Sequence, residues 1–324
     1  MSALCLDIDP SIKLATRAAY GPTLANLADS GMPVVAVDAD LTGSTTTAKF
    51  ASAKPEYSAR LFNCGIAEQN MIDVAAGLAL TGHIAFTGSF AVFGTGRAYD
   101  QIRNTACYSK LNVKIAPTHA GISVGPDGGS HQMLEDVALM RAIPNMRVLV
   151  PADYNSACAA IKLAADTSGP VYIRMGRAAV GQIYGKDVQL NMGASCVLRE
   201  GQDVTIIANG VEIKEALEAA DILAQRGIDA EIIDAFCVKP LDEDTIIRSV
   251  QKTGCALVAE EHSVMGGLGD AVANAICRRH PVPCAFVGMR DIFGKSGEFD
   301  ELMHYFGLDA EAIVKAACQL CEND

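Results

Sequence analysis

Tryptophan is absent from the 324 residues and all aromatics together make up only 6%. No apolar run reaches the roughly 18 residues that span a bilayer, which speaks against a membrane protein. Basic residues are in deficit, 26 against 38 acidic ones, for a net charge of −12. Broad nucleic-acid binding needs a basic face that this balance does not supply. The chain also lacks heptads, low-complexity tracts and short-period repeats, which sets aside coiled coils and solenoids. The eleven cysteines follow no apolar secretory start and form no even, closely spaced framework, so they read as reduced thiols of a cytoplasmic protein rather than disulfides or zinc ligands.

What is present is a half-apolar, one-fifth-charged chain whose length suggests two domains. Short β-branched runs alternate with Ala- and Leu-rich stretches, the pattern of parallel βαβ units. In the first half the runs lie at 34–38, 83–86, 113–116, 147–150 and 171–174, with helical stretches after Asn70, over 97–109 and over 154–165. The alternation pauses over 178–193, where glycines punctuate a segment of little periodicity, and a second series follows at 204–208, 230–233, 256–259 and 284–287. The expectation is an α/β protein of two open, mostly parallel sheets flanked by helices, with domains at 1–185 and 186–324. Ligands of such sheets sit beyond the carboxyl ends of strands, which directs attention to Asp40, Ser44, Ser89, His119, Asp127 and Arg177.

Single motifs decide little. Gly94-Thr95-Gly96 has Tyr99 where a dinucleotide fingerprint needs its third glycine, and Gly125-Pro126-Asp127-Gly128-Gly129-Ser130 lacks the lysine and hydroxyl of a P-loop. His119 and His131 flank that glycine turn without any zinc-site spacing, which fits proton transfer or substrate hydrogen bonding better than metal binding, and no metal ligands are assigned to the chain. Taken alone, Glu68 is an acidic first-turn residue of a helix, and Phe90 and Phe93 are core aromatics.

Taken together, Cys64-Gly65-Ile66-Ala67-Glu68-Gln69-Asn70-Met71, Thr87-Gly88-Ser89-Phe90-Ala91-Val92-Phe93, Thr118-His119-Ala120-Gly121-Ile122 and Gly125 to Gln132 resemble the thiamine-diphosphate enzymes of the transketolase family, in order and in spacing. The resemblance spans the chain. The first part is similar to the family's pyrimidine-binding domain, and the remainder, with Gly266-Gly267-Leu268-Gly269 and Asp291-Ile292-Phe293-Gly294, to its C-terminal domain. The Gly-Asp-Gly motif and following asparagine that hold Mg2+ and the diphosphate in this family do not occur. The resemblance is therefore to the C-terminal subunit of a split transketolase, with Mg2+ held by a separate N-terminal subunit in an α2β2 heterotetramer.

That resemblance implies the site. Glu68 would hydrogen-bond the pyrimidine N1′, so that the 4′-amino group can take the proton from the thiazolium C2. Phe93, with Phe90 beside it, would stack on the pyrimidine, and Ile66 and Asp40 would lie near the cofactor. The family often carries a tyrosine three residues beyond Phe93, where Gly96 stands here. Arg17 and Arg177, with Ser44, would bind the phosphate of a sugar phosphate, Arg174 competing with Arg177 for that place. His119 and His131 would contact sugar hydroxyls or assist proton transfer, and Asp127 would read donor stereochemistry. The implied reaction moves a two-carbon ketol unit from a ketose phosphate to an aldose phosphate. Deoxyxylulose-phosphate-synthase-like enzymes, 2-oxoacid dehydrogenase E1 β subunits and a catalytically silent scaffold are the alternatives.

Overall fold

A computed structural model of the chain describes residues 6–322. Its fourteen strands are β1 Leu6–Ala15, β2 Val34–Asp38, β3 Leu61–Asn63, β4 Ile84–Gly88, β5 Val113–Ile115, β6 Arg147–Leu149, β7 Val171–Ile173, β8 Ala179–Tyr184, β9 Cys196–Arg199, β10 Val204–Ala208, β11 Ala230–Asp234, β12 Cys237–Lys239, β13 Ala256–Ser263 and β14 Cys284–Met289. A seven-stranded sheet runs in the order β12-β6-β7-β5-β4-β2-β3, and a five-stranded sheet in the order β14-β13-β10-β11-β9. Within the first, β2, β3, β4, β5, β6 and β7 pair in parallel. Within the second, β10, β11, β13 and β14 do the same. Strands such as Val34-Val35-Ala36-Val37-Asp38 are buried along their whole length because helices cover both faces of the sheet. The α/β expectation of two mostly parallel sheets is met.

Two departures from the sequence reading concern partners distant in sequence. The segment 178–193 was expected to be irregular, yet it contains β8, which pairs antiparallel with β1 in a two-stranded ribbon apart from both sheets. A carboxylate fixes it there. Asp153 Oδ1 accepts from the Ser156 amide at 2.8 Å and caps the helix Tyr154–Asp166, while its Oδ2 accepts from the amides of Ile183 and Tyr184, each at 2.8 Å. The second departure is β12. It follows β11 directly in sequence but leaves that sheet and adds antiparallel to β6, with Cys237 opposite Leu149, so the second half of the chain completes the first sheet. Apolar packing continues across the junction: Val148, Ile207, Val238 and Val258 share one buried cluster.

Cys64, Cys107, Cys158, Cys196 and Cys237 are free thiols. Against the expectation of no Cys-x-x-Cys pair, the sequence holds one such spacing, Cys318 and Cys321, in the last helix, Ala310–Cys321. No helix among the described residues is long and apolar enough to cross a membrane.

Candidate functional site

The loops that leave the carboxyl ends of β2, β4, β5 and β7 converge on one face. The helix Glu68–Leu80 begins at Glu68, whose side chain is 2% exposed and whose Oε2 accepts from Arg97 Nη1 at 2.8 Å. Beyond β4, Phe90 and Phe93 lie in the turn that opens a π-helical segment, Val92–Arg97. Such widened turns recur at functional sites because the extra residue re-aims side chains. The two rings stack with centroids 6.2 Å apart. Phe90 in turn stacks on His119 at 3.8 Å, and His131 meets Phe93 edge-on at 5.4 Å. Four rings from the segments that follow β4 and β5 thus form a continuous wall, and Arg97, laid over Phe93 at 4.8 Å, joins that wall to Glu68.

His119 is 2% exposed and adopts φ +62, a backbone region uncommon for residues with side chains. Burial pushes its imidazole down to about 3, and the positive neighbours Arg17, Arg177 and His131 push the same way. The ring is neutral at physiological pH, which suits it to hydrogen bonding rather than to delivering a proton. Its Nδ1 shares a 2.7 Å hydrogen bond with Thr118 Oγ1. His131 Nδ1 is similarly placed 3.0 Å from Ser130 Oγ.

Beside the ring wall is a cleft of about 330 Å³, lined by Arg17, Ser123, Gly125, Arg177, Glu298 and Phe299. Arg177 Nη1 donates to the Val124 carbonyl at 2.7 Å, and Arg17 Nη1 to the Ser44 carbonyl at 2.7 Å. Each bond fixes one corner of a guanidinium and leaves the rest of the planar fork to face a ligand. Burial and the nearby Arg177 lower the Arg17 pKa from its ordinary value. Ser44 therefore meets Arg17 through its backbone carbonyl, whereas the sequence reading placed it as a phosphate contact. Arg174 is not a rival for the cleft: it is 6% exposed, with Nε 2.9 Å from Asp136 Oδ2, Nη1 3.0 Å from Glu261 Oε2 and Nη2 2.8 Å from the Glu261 carbonyl.

The remaining expected residues lie further out. Asp40, at φ +65, exchanges hydrogen bonds with Asn63: its amide donates to Asn63 Oδ1 at 3.2 Å and its Oδ1 accepts from Asn63 Nδ2 at 3.3 Å. Ile66 is 78% exposed on the loop before Glu68, and Asp127 is exposed at the tip of the glycine turn. Asp38 carries the structural duty nearby, its carboxylate accepting from Thr45, Thr47 and the Leu41 amide, and burial raises its pKa.

The second half of the chain supports this face directly. Glu261 Oε1 accepts from the Ser123 amide at 2.6 Å, and a Cβ at Gly121 would overlap that carboxylate. Gln132 Nε2 donates to the Lys295 carbonyl at 2.9 Å, and a Cβ at Gly294 would overlap the Gln132 amide. Glycine at these positions is therefore a condition of close approach. Glu260 caps the helix Leu268–Arg279 through the amides of Leu268 and Gly269, which accounts for the Gly266-Gly267-Leu268-Gly269 run. Arg97, Glu261, Glu260 and Gln132 were not singled out from sequence. Of these only Gln132 left a signal, as the last residue of the Gly125 to Gln132 motif.

Residues 12–182 match the transketolase pyrimidine-binding domain, and residues 193–313 the transketolase C-terminal domain. The chain belongs to the transketolase family. It is 49% identical over 302 residues to a putative transketolase C-terminal section of Methanocaldococcus jannaschii, with 92% of this chain and 94% of that one aligned. It is 42% identical to a 6-deoxy-6-sulfo-D-fructose transketolase subunit of a Clostridium species, covering 95% of this chain and 94% of the relative. Among solved structures it resembles a split-gene transketolase described as an inactive beta4 tetramer, with TM-score 0.86, 46% identity and coverage of 95% and 98% of the two chains. Over nearly its whole length the chain is thus similar to C-terminal sections of split transketolases.

Proposed function

We propose that the chain is the pyrimidine-binding subunit of a cytoplasmic, thiamine-diphosphate-dependent transketolase. In this reading a separate N-terminal subunit holds Mg2+ and the diphosphate, and the two assemble as an α2β2 heterotetramer. The observation that carries it is the buried Glu68 carboxylate beside the stacked wall of Phe93, Phe90 and His119. A carboxylate at the edge of an aromatic wall fits an aminopyrimidine, which needs an in-plane hydrogen bond and a face to stack on. When bound, thiamine diphosphate supplies the nucleophilic carbon that a sugar carbonyl accepts.

The chain's own residues do the rest. Glu68 holds a proton at the pyrimidine N1′. Phe90 and Phe93 exclude water from the ring. His119, neutral and anchored on Thr118, hydrogen-bonds a substrate hydroxyl, with His131 beside it. Arg17 and Arg177 take the terminal anion of the sugar in the adjoining cleft, and Asp127, whose charge acts on Arg17, reads donor stereochemistry. The anionic sugar named for the Clostridium relative supports a site for a charged sugar terminus, and the inactive tetramer of the similar split-gene chain supports the need for a partner.

The test is a Glu68→Gln variant reconstituted with the N-terminal subunit and assayed for ketol transfer from xylulose 5-phosphate to ribose 5-phosphate. Activity is expected to fall by orders of magnitude while the assembly survives on gel filtration. Undiminished transfer would overturn the proposal.

A further inference from the structure

Arg97 touches both Glu68 and Phe93, and no role has been assigned to it above. Its Nη1 stands 2.8 Å from Glu68 Oε2, and its guanidinium lies 4.8 Å over the Phe93 ring. A planar cation with an N–H on a carboxylate and its face on a phenyl ring makes the same two contacts that an aminopyrimidine would make there. We infer that Arg97 is a resident stand-in for the pyrimidine ring: it holds Glu68 and Phe93 in the subunit without cofactor and swings away when the ring enters. The inference rests on the pyrimidine site proposed above.

Three further observations allow the movement. The Arg97 side chain is 47% exposed, so its solvent side is open. It ends the π-helical segment Val92–Arg97, and a Cβ at the preceding Gly96 would meet no atom within 4 Å. Where the family often has an aromatic side chain, this chain therefore has open space into which the guanidinium can turn. Glu68, by contrast, is 2% exposed and fixed at the start of its helix. The rigid partner stays and the long flexible one leaves.

Thiamine, which carries the aminopyrimidine without the diphosphate, is the probe, titrated into the full chain and followed by saturation-transfer NMR on its pyrimidine proton. Occupation of the seat by Arg97 multiplies the apparent affinity by the open fraction, so Arg97→Met is expected to bind thiamine about fivefold or more tightly than the unmodified chain. Adding Glu68→Gln to that variant should remove the gain. In the unmodified chain the Arg97 Nε–H resonance should shift on thiamine addition, a response that a merely structural arginine would not give. Equal or weaker binding by Arg97→Met, with binding by the unmodified chain still lost in Glu68→Gln, would overturn the stand-in and leave the pyrimidine site intact. No binding by any variant at millimolar thiamine would overturn both.

Discussion

Glu261 and Ser123 lie 138 positions apart, yet the carboxylate of one accepts the amide of the other at 2.6 Å, beneath the loop that carries His119. The same carboxylate pairs with Arg174, which also holds Asp136, and Tyr172 donates to Asp136 at 2.5 Å. All of these groups are buried, so the two halves of the chain are joined by a polar network under the site.

Removing Glu261 leaves the buried Arg174 guanidinium with one of its two carboxylates and the Ser123 amide without its acceptor. Glu261→Ala is expected to lower unfolding stability by about 3 kcal/mol, because a buried charge that loses its partner costs several kcal/mol. Chemical denaturation followed by circular dichroism checks this. Gly121→Ala should also destabilise, since Gly121 has φ +77 and faces the Glu261 carboxylate.

Asp153 joins a helix cap to two strand amides. Asp153→Ala is expected to cost about 3 kcal/mol, as the loss of one cap and of two hydrogen bonds to a charged group. Amide hydrogen exchange should show the loss concentrated at Ile183 and Tyr184, while amides of β2 and β4 keep their protection.

Two buried groups give opposite pH dependences. His119 is held near 3 in the folded chain against an ordinary value of 6.5, so the unfolded chain binds the extra proton. Its contribution is intact above pH 6.5 and is lost as pH falls toward 3, at about 1.4 kcal/mol per pH unit. Asp234 behaves in the reverse sense. Burial raises it from 3.8 to about 7, against the opposing pull of Tyr184, which donates to Oδ2 at 2.7 Å. The folded chain binds the extra proton, so stability is lost as pH rises from about 4 to about 7. Denaturant midpoints across this range should show His119→Asn removing the first slope and Asp234→Asn the second.

Arg17→Ala and Arg177→Ala test the anion cleft. Each guanidinium would contribute charge-assisted hydrogen bonds, so KM for the sugar phosphate is expected to rise about tenfold or more in each, with a smaller change in kcat. Arg174→Lys should instead lower stability, because lysine cannot reproduce the fork held by Asp136 and Glu261.

The amino-acid order alone determined what depends on short-range pattern. The buried runs β2, β4, β10 and β11 and the helix at Glu68 declare themselves because periodicity and first-turn chemistry are local properties. The motifs containing Glu68, Phe90, Phe93, His119 and His131 were legible for the same reason, each being a contiguous string. Tertiary structure alone decided what depends on partners far away in the chain. It paired β12 with β6 and β8 with β1, because a short strand carries no mark of which sheet edge will accept it. It turned Arg174 inward to Asp136 and Glu261 and left Arg177 at the cleft, although both follow the same strand. It also set Arg97 on Glu68, since the direction taken by a long charged side chain is fixed by the pocket it finds and not by its neighbours in sequence.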